Sequence, residues 1–293
     1  MQMTVNRSRV GYRLAALLAA AVPILLRAAD APYLVTYTHQ MEEPGNLEVA
    51  LNTVTARPEG GNRFLNHLME LEYGATAWWT TELYLSGQGT SHEGVVFTGY
   101  RWENRFRPLL GEHWINPVLY VEFSNTSGAD KSLKEIVGHD GFSNQLEPND
   151  ETTQEHKREI ETKLILSSNV RGWNFSENII AEKNLANEPW EFGYAVAVSR
   201  PLALAASSKR CVLCRENLSA GLEMYGGLGT RHEFGLRDTS HYLAPAVGLR
   251  IPNGPSFKFS LSFGLNGNSY PVFFRFTMAY EVNQFRRLFR GKD

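Results

Sequence analysis

Charged side chains recur at alternate positions of short apolar stretches in this 293-residue sequence, and that spacing is the feature with chemical content. Glu70, Glu72, Glu82, Arg101, Glu103, Arg105, Glu122, Glu159, Glu161, Lys163, Glu223, Arg250, Lys258, Arg275 and Glu281 take the parity opposite to Leu, Val, Ile, Phe or Trp neighbours, as do Glu48, Glu182 and Glu191. Alternate residues of an extended strand share a face, so these groups would gather on one polar wall. Acidic and basic groups facing each other across an enclosed wall can do two things. They can neutralise one another as a salt-bridged, wetted interior, or they can ring a narrow path and select what passes by charge. In the second case the glutamates would favour cations or small polar solutes, and Arg101, Arg105, Arg250 and Arg275 would set a constriction.

Other candidate chemistry is thinner. Gly138-His139-Asp140-Gly141-Phe142-Ser143-Asn144 brings a histidine near a serine, the base and nucleophile of a lipid hydrolase. A triad needs its base held against the nucleophile by rigid surroundings, and these residues fall in the Gly-, Asp-, Asn- and Ser-rich stretch 125–154. The chain is therefore expected not to be an enzyme. Cys211-Val212-Leu213-Cys214 has no following histidine for haem attachment and no second pair to complete a zinc site, which leaves a local disulfide between Cys211 and Cys214. The eight histidines are scattered, and His156 with Glu155 and Glu159 reads as a surface cluster. No cofactor and no metal are expected. A formal net charge of −2 without a basic stripe argues against nucleic acid as partner.

Twelve segments must position the charged wall. The last hairpin shows the pattern most clearly: Phe257, Phe259, Leu261, Phe263 and Leu265 share one parity against Lys258, Ser260, Ser262 and Gly264, and Phe274, Phe276, Met278, Tyr280 and Val282 oppose Arg275, Thr277, Ala279 and Glu281. In one segment Val96, Thr98, Tyr100 and Trp102 are set together against Arg101, Glu103 and Arg105; in another, Glu177 breaks into the apolar parity of Trp173, Phe175 and Ile179. About twelve strands of roughly ten residues suit an all-β, transmembrane antiparallel up-and-down barrel, because such strands cross hydrocarbon when tilted.

Residues 1–31, with Arg7, Arg9 and Arg13 ahead of an apolar run, read as a secretory signal peptide. Residues 32–45 are a periplasmic lead-in in which Leu34 to Thr38 forms a short strand, 46–285 are the barrel and 286–293 a basic tail. The short inner turns fall at Gly74 to Thr76, Asn169 to Gly172 and Pro252 to Pro255, whereas Pro108 to Asn116 and Pro201 to Glu216 are longer than the pattern wants. Trp78, Trp79, Trp102, Trp114, Trp173 and Trp190 are placed near segment ends, the level at which amphipathic rings meet lipid headgroups.

Met69-Glu70-Leu71-Glu72-Tyr73-Gly74 running into Trp79-Thr80-Thr81-Glu82-Leu83-Tyr84, together with His241-Tyr242-Leu243-Ala244-Pro245, resembles bacterial outer-membrane β-barrels of a porin-like family of uncharacterised function, including barrels linked to meta-pathway phenol degradation. The resemblance implies residence in the cell outer membrane and transport of ions or small polar or aromatic solutes through a narrow channel. It transfers no catalytic residue. Its implied partners are outer-membrane lipid and the barrel assembly machinery, which reads a terminal aromatic residue that Phe285 would supply. A non-conducting structural barrel is the alternative, with a periplasmic partner docking on the connection Pro201 to Glu216.

Overall fold

The computed structural model describes residues 31–132, 146–186, 188–203 and 211–288. Residues 1–30 of the expected signal peptide, His139, Ser143 and the residues beyond 288 lie outside the described residues. Alternation becomes twelve strands: β1 (Leu47–Ala56), β2 (Phe64–Thr76), β3 (Trp79–Thr90), β4 (Gly94–Phe106), β5 (Asn116–Ser127), β6 (His156–Val170), β7 (Trp173–Asn184), β8 (Trp190–Pro201), β9 (Leu218–Thr230), β10 (His241–Arg250), β11 (Ser256–Gly264) and β12 (Val272–Val282). Each pairs antiparallel with its sequence neighbours, and β12 returns to β1 with Val282 opposite Leu47 and Phe273 opposite Ala56. The sheet is closed. Closure leaves the sheet without an open edge, the condition for it to stand in hydrocarbon.

The two faces of the wall differ as a membrane requires. Leu51, Met69, Leu83, Leu119, Leu164, Ile179, Phe259 and Met278 are exposed on the outside, while Glu82, Glu103, Arg105, Glu122, Glu161, Lys163, Glu223 and Arg275 are buried within. This is the inverse of a soluble fold and the signature of a transmembrane barrel. Glu177 also faces outward, between Leu166 of β6 and Val196 of β8; nothing in the structure explains an acid there.

Local departures from the alternation have physical causes. Thr98 is buried whereas Phe97 and Tyr100 are exposed, so Thr98 does not share a face with Tyr100. A bulge lies between them: Ser86 pairs with Gly99 and Gly87 with Phe97. Gly99 has φ 139°, and a Cβ there would stand 2.3 Å from the Asn125 carbonyl oxygen, so only glycine lets β4 and β5 approach. Gly74 to Thr76 is not a turn but the end of β2, leaving Ala77 and Trp78 to reverse the chain. Trp102 lies within β4 rather than at an end, its indole Nε1 donating to Thr81 Oγ1 at 3.0 Å. Phe285 falls in a short 3-10 turn after β12, not on the last strand.

The start of β1 and the end of β12 sit at one end of the barrel, the terminus side, with the β2–β3, β4–β5, β6–β7, β8–β9 and β10–β11 connections. The opposite end carries the β5–β6 connection and its one-turn helix α1 (Asn149–Thr152). The lipid wall yields a direct test. Leu164, flanked by Leu119 and Ile179, sits midway along β6. Leu164→Arg should cost about 2–4 kcal/mol in a reversible denaturant titration of the lipid-embedded barrel, the cost of a cation near the bilayer midplane.

Candidate functional site: the lumen

Strand register gathers glutamates that are distant in sequence into one file. Glu281 is opposite Glu48, Glu48 opposite Glu72, Glu72 opposite Glu82, and Glu82 opposite Glu103. The file continues through Glu122, Glu161, Glu182 and Glu191 on successive strands. Cross-strand rows run perpendicular to strands that are themselves tilted in a barrel, so the file climbs the inner wall. It starts at Glu281 and Glu48, near the terminus-side end, and finishes at Glu182 and Glu191, near the other. Glu70 and Glu159 flank it.

Like charges directly opposite one another are destabilising, so the buried middle of the file needs cations. They come from the adjacent inward row, in which Arg105, Tyr120 and Lys163 are themselves cross-strand neighbours. The Arg105 guanidinium pairs with Glu72 at 2.5 Å, with Glu103 at 3.2 Å and with Glu82. Lys163 Nζ lies 2.9 Å from Glu161, and Arg101 3.6 Å from Glu122. Tyrosines supply the remaining donors: Tyr84 OH is 2.5 Å from Glu82 Oε2, and Tyr120 OH donates to Glu122 Oε2 at 2.9 Å. The arginines expected to form a single constriction are spread out instead. Arg250 pairs with Glu281 at 3.3 Å near the terminus end, whereas Arg275 is 2 % exposed with its guanidinium 5.3 Å from the Phe273 ring centroid and 5.8 Å from that of Tyr225.

The segment before β1 is not a lead-in outside the barrel and contains no strand. It enters the lumen. One carboxylate, Glu223 of β9, accepts the backbone N–H groups of Leu34, Val35 and Thr36 at 2.9, 3.0 and 2.7 Å. Asn178 of β7 accepts from Tyr37 N–H at 2.7 Å and returns a bond to the Tyr37 carbonyl at 3.0 Å. These side chains do for the segment what a neighbouring strand would do, which is why it stays irregular. The Tyr37 ring lies 4.5 Å from Lys163 Nζ and meets Tyr120 edge-on at 5.2 Å, and its hydroxyl donates to Glu103 at 2.9 Å. Tyr37 thus rests on the glutamate file at its most buried point. The chain then leaves by Gly45, whose N–H reaches the Gly74 carbonyl at 2.7 Å; a side chain at Gly74 would collide with the Glu43 carbonyl.

His39 anchors the exit. Its Nε2 faces Glu112 Oε2 at 3.0 Å and must donate, since a carboxylate only accepts, so Nδ1 accepts from the Ser167 hydroxyl at 2.8 Å. Burial favours the neutral ring and, helped by Arg107, outweighs the pull of Glu112, holding His39 below its ordinary value.

Between this segment and the wall lies a cavity of about 740 Å³, bordered by Thr36, Tyr37 and Gln40 and by Glu48, Glu70, Glu72, Arg250, Lys258 and Glu281. Carboxylate oxygens of Glu48, Glu70 and Glu72 come within 4.8 Å of one another there, with Asn52 donating to Glu70 at 2.6 Å. Beyond the segment, Phe64, Tyr225, Tyr242, Tyr270 and Phe273 fill the lumen. The far mouth is covered by the β5–β6 connection, where the Gln88 amide holds Ala129 O and Lys131 N–H, each at 2.8 Å. Glu93 fastens this cover by accepting from Asn62, from Lys131 Nζ and from Asn149 N–H. These donors overcome its partial burial and hold its carboxyl below the ordinary range. Cys211 and Cys214 are joined by a disulfide in the β8–β9 connection.

The alternation places the glutamates of the file and Arg101, Arg105, Lys163, Arg250 and Arg275 on the inner wall, but not in a file, and it does not single out Glu93, Glu112 or Lys131; the register across long connections is invisible in the spacing. Tyr84 and Tyr120 share the polar parity of Glu82 and Glu122 and are legible as inward, whereas Tyr37, Asn178 and His39 are not singled out by the spacing.

No family model matches the chain, and no curated protein matches it. Several solved outer-membrane barrels are similar. An outer membrane channel from Pseudomonas putida F1 is 11% identical, with 83% of this chain and 97% of that chain covered and a TM-score of 0.48. The NanC porin is 7% identical, with 80% and 97% covered and a TM-score of 0.47. The KdgM porin, solved with disordered oligogalacturonate, is 4% identical, with 80% and 98% covered and a TM-score of 0.46.

Two outcomes are expected of this site. Arg105→Met leaves Glu72, Glu82 and Glu103 without their shared cation and should lower stability by about 3–5 kcal/mol in denaturant titration. His39 takes up a proton more weakly when docked than when free, so docking is fully favoured above its free value of about 6.5 and weakens as the pH falls below it. Protease cleavage within residues 32–45 should therefore rise on acidification below about pH 6.5, and His39→Gln should flatten that dependence.

Proposed function

We propose that the chain is an outer-membrane channel for cations and small polar solutes, closed by residues 32–46. The observation that carries this reading is the glutamate file, which leads from one mouth of the barrel to the other along the inner wall. Carboxylates placed one strand apart give a cation successive sites of similar depth, which allows entry without trapping. The cavity at the terminus-side mouth contains the first members of the file and is large enough for a small solute. The N-terminal segment lies across the path at Tyr37, and its backbone is held by polar groups, Glu223 and Asn178, that water can replace, while Tyr33, Val35, Tyr37 and Met41 supply the apolar part of its hold.

A second reading, a non-conducting structural barrel, is favoured by the aromatic packing of Phe64, Tyr225, Tyr242 and Phe273, all nearly inaccessible. One experiment separates the two. In planar bilayers, deletion of residues 32–41 should raise single-channel conductance several-fold over the full chain. A salt gradient across the deletion variant should give a reversal potential of the sign for cation preference, reduced in Glu48→Gln/Glu191→Gln. A deletion variant that folds yet passes no current establishes the second reading.

A further inference from the structure

Among the described cations at the terminus-side rim, Arg171 and Arg200 take no part in the lumen and flank one tryptophan in sequence and in space. The β6–β7 reversal consists of Arg171 and Gly172, with φ of 52° and 82°. A two-residue hairpin loop of this kind favours Asn-Gly or Gly-Gly, so an arginine at its first position is held in a strained backbone region. Its side chain is exposed at the tip. Trp173 follows, outward-facing and 42 % exposed. Across from it on β8, one rung beyond the Asn174–Ser199 pair, stands Arg200, whose guanidinium carbon lies 5.4 Å from the Trp173 ring centroid. Among the described residues neither guanidinium has a hydrogen-bond or ion-pair partner. On the next strand Ala220 stands opposite Arg200 and offers it no polar partner.

Depth gives this group its meaning. Trp173 begins β7, where amphipathic rings meet lipid headgroups, and above it along the outer wall come Phe175 and Val198 at acyl-chain depth. Along this outer wall the next acid, Glu177, lies beyond Phe175, further into the hydrocarbon band, and at the rim the Glu112 carboxylate is engaged by His39 and Asn169. Guanidinium groups match phosphate oxygens with paired N–H donors, and two of them without a carboxylate favour a headgroup of net negative charge. We propose that Arg171, Trp173 and Arg200 form a binding site for the phosphate of an anionic glycerophospholipid in the leaflet at the terminus-side rim. The strained turn holds Arg171 at headgroup level, the ring orients Arg200, and the wall above takes an acyl chain.

The test uses the full chain folded into phosphatidylcholine vesicles, alone or mixed with phosphatidylglycerol, with the thermal midpoint followed by the gel-mobility shift of unfolding. Phosphatidylglycerol should raise the midpoint of the unaltered chain. Arg171→Gln/Arg200→Gln should lose at least half of that rise, whereas Arg57→Gln/Arg63→Gln, the same charge change at the opposite rim, should keep it. Arg171→Gly, which suits the left-handed turn and so folds readily, should show a higher midpoint in phosphatidylcholine than the unaltered chain but a smaller rise with phosphatidylglycerol. Equal loss in both double variants, or no rise in the unaltered chain, overturns the proposal in favour of general surface charge. A rise produced equally by inorganic phosphate in phosphatidylcholine overturns the lipid assignment. Channel activity enters none of these readings.

Discussion

Every backbone N–H and C=O of a wall in hydrocarbon must find its partner within the wall, and this requirement governs the rest of the structure. It is met by twelve strands closing on themselves, with β12 returned to β1. Closure then fixes the fate of the charged residues. A strand has two faces; the outer one meets lipid, so the glutamates, arginines and lysines of the opposite parity are driven into the lumen, with Glu177 and the rim residue Arg200 among those left outside. The ion pairs of Arg105, Lys163 and Arg250 and the tyrosine hydroxyls beside them follow from that confinement. Burying such groups is tolerable only when they are paired.

The same confinement explains how a segment without secondary structure can be held inside. Residues 34–37 offer bare N–H groups, and a lumen rich in carboxylate and amide oxygens is a good acceptor for them. Glu223 takes three of these donors at once and so behaves as an anionic end to an irregular backbone, in the manner of a carboxylate at a helix N-terminus. Tyr37 inserts between Arg105 and Lys163 with its ring against both cations and its hydroxyl on Glu103. Such a plug combines directional polar contacts, each of which water could replace, with the burial of Tyr33 and Val35 and the packing of Tyr37 and Met41 against Val118, Tyr120 and Ile165.

The outside of the barrel answers to a different solvent at each depth. Leucine, isoleucine and phenylalanine occupy the middle, tryptophans cluster toward the rims, and Arg171 and Arg200 stand beside Trp173 where phosphate begins. Trp102 and Glu177 do not follow this gradation. Trp102 is accommodated in mid-wall because its indole N–H finds Thr81 on the adjacent strand.

Read alone, the sequence determined the number of strands, the closure implied by an apolar outer parity, and the face on which Glu70, Glu103, Lys163 and Arg275 would lie, because a period of two is a local property of the chain. It could not show the Gly99 bulge, which reverses the parity of Thr98 through a contact with Asn125 that no spacing encodes. Nor could it show that Glu48, Glu72, Glu82, Glu103, Glu122 and Glu161 stand shoulder to shoulder, since register across a connection as long as the one between β5 and β6 is set by the whole ladder. The destination of residues 32–45 was likewise decided only by the tertiary structure. Their sequence, a short mixed run from Leu34 to Thr38 ended by Glu42-Glu43-Pro44-Gly45, suits a tether outside the barrel as well as a plug inside it, and the choice depends on Glu223, Asn178 and Ser167, hydrogen-bonding partners that exist as a set only once the barrel has closed.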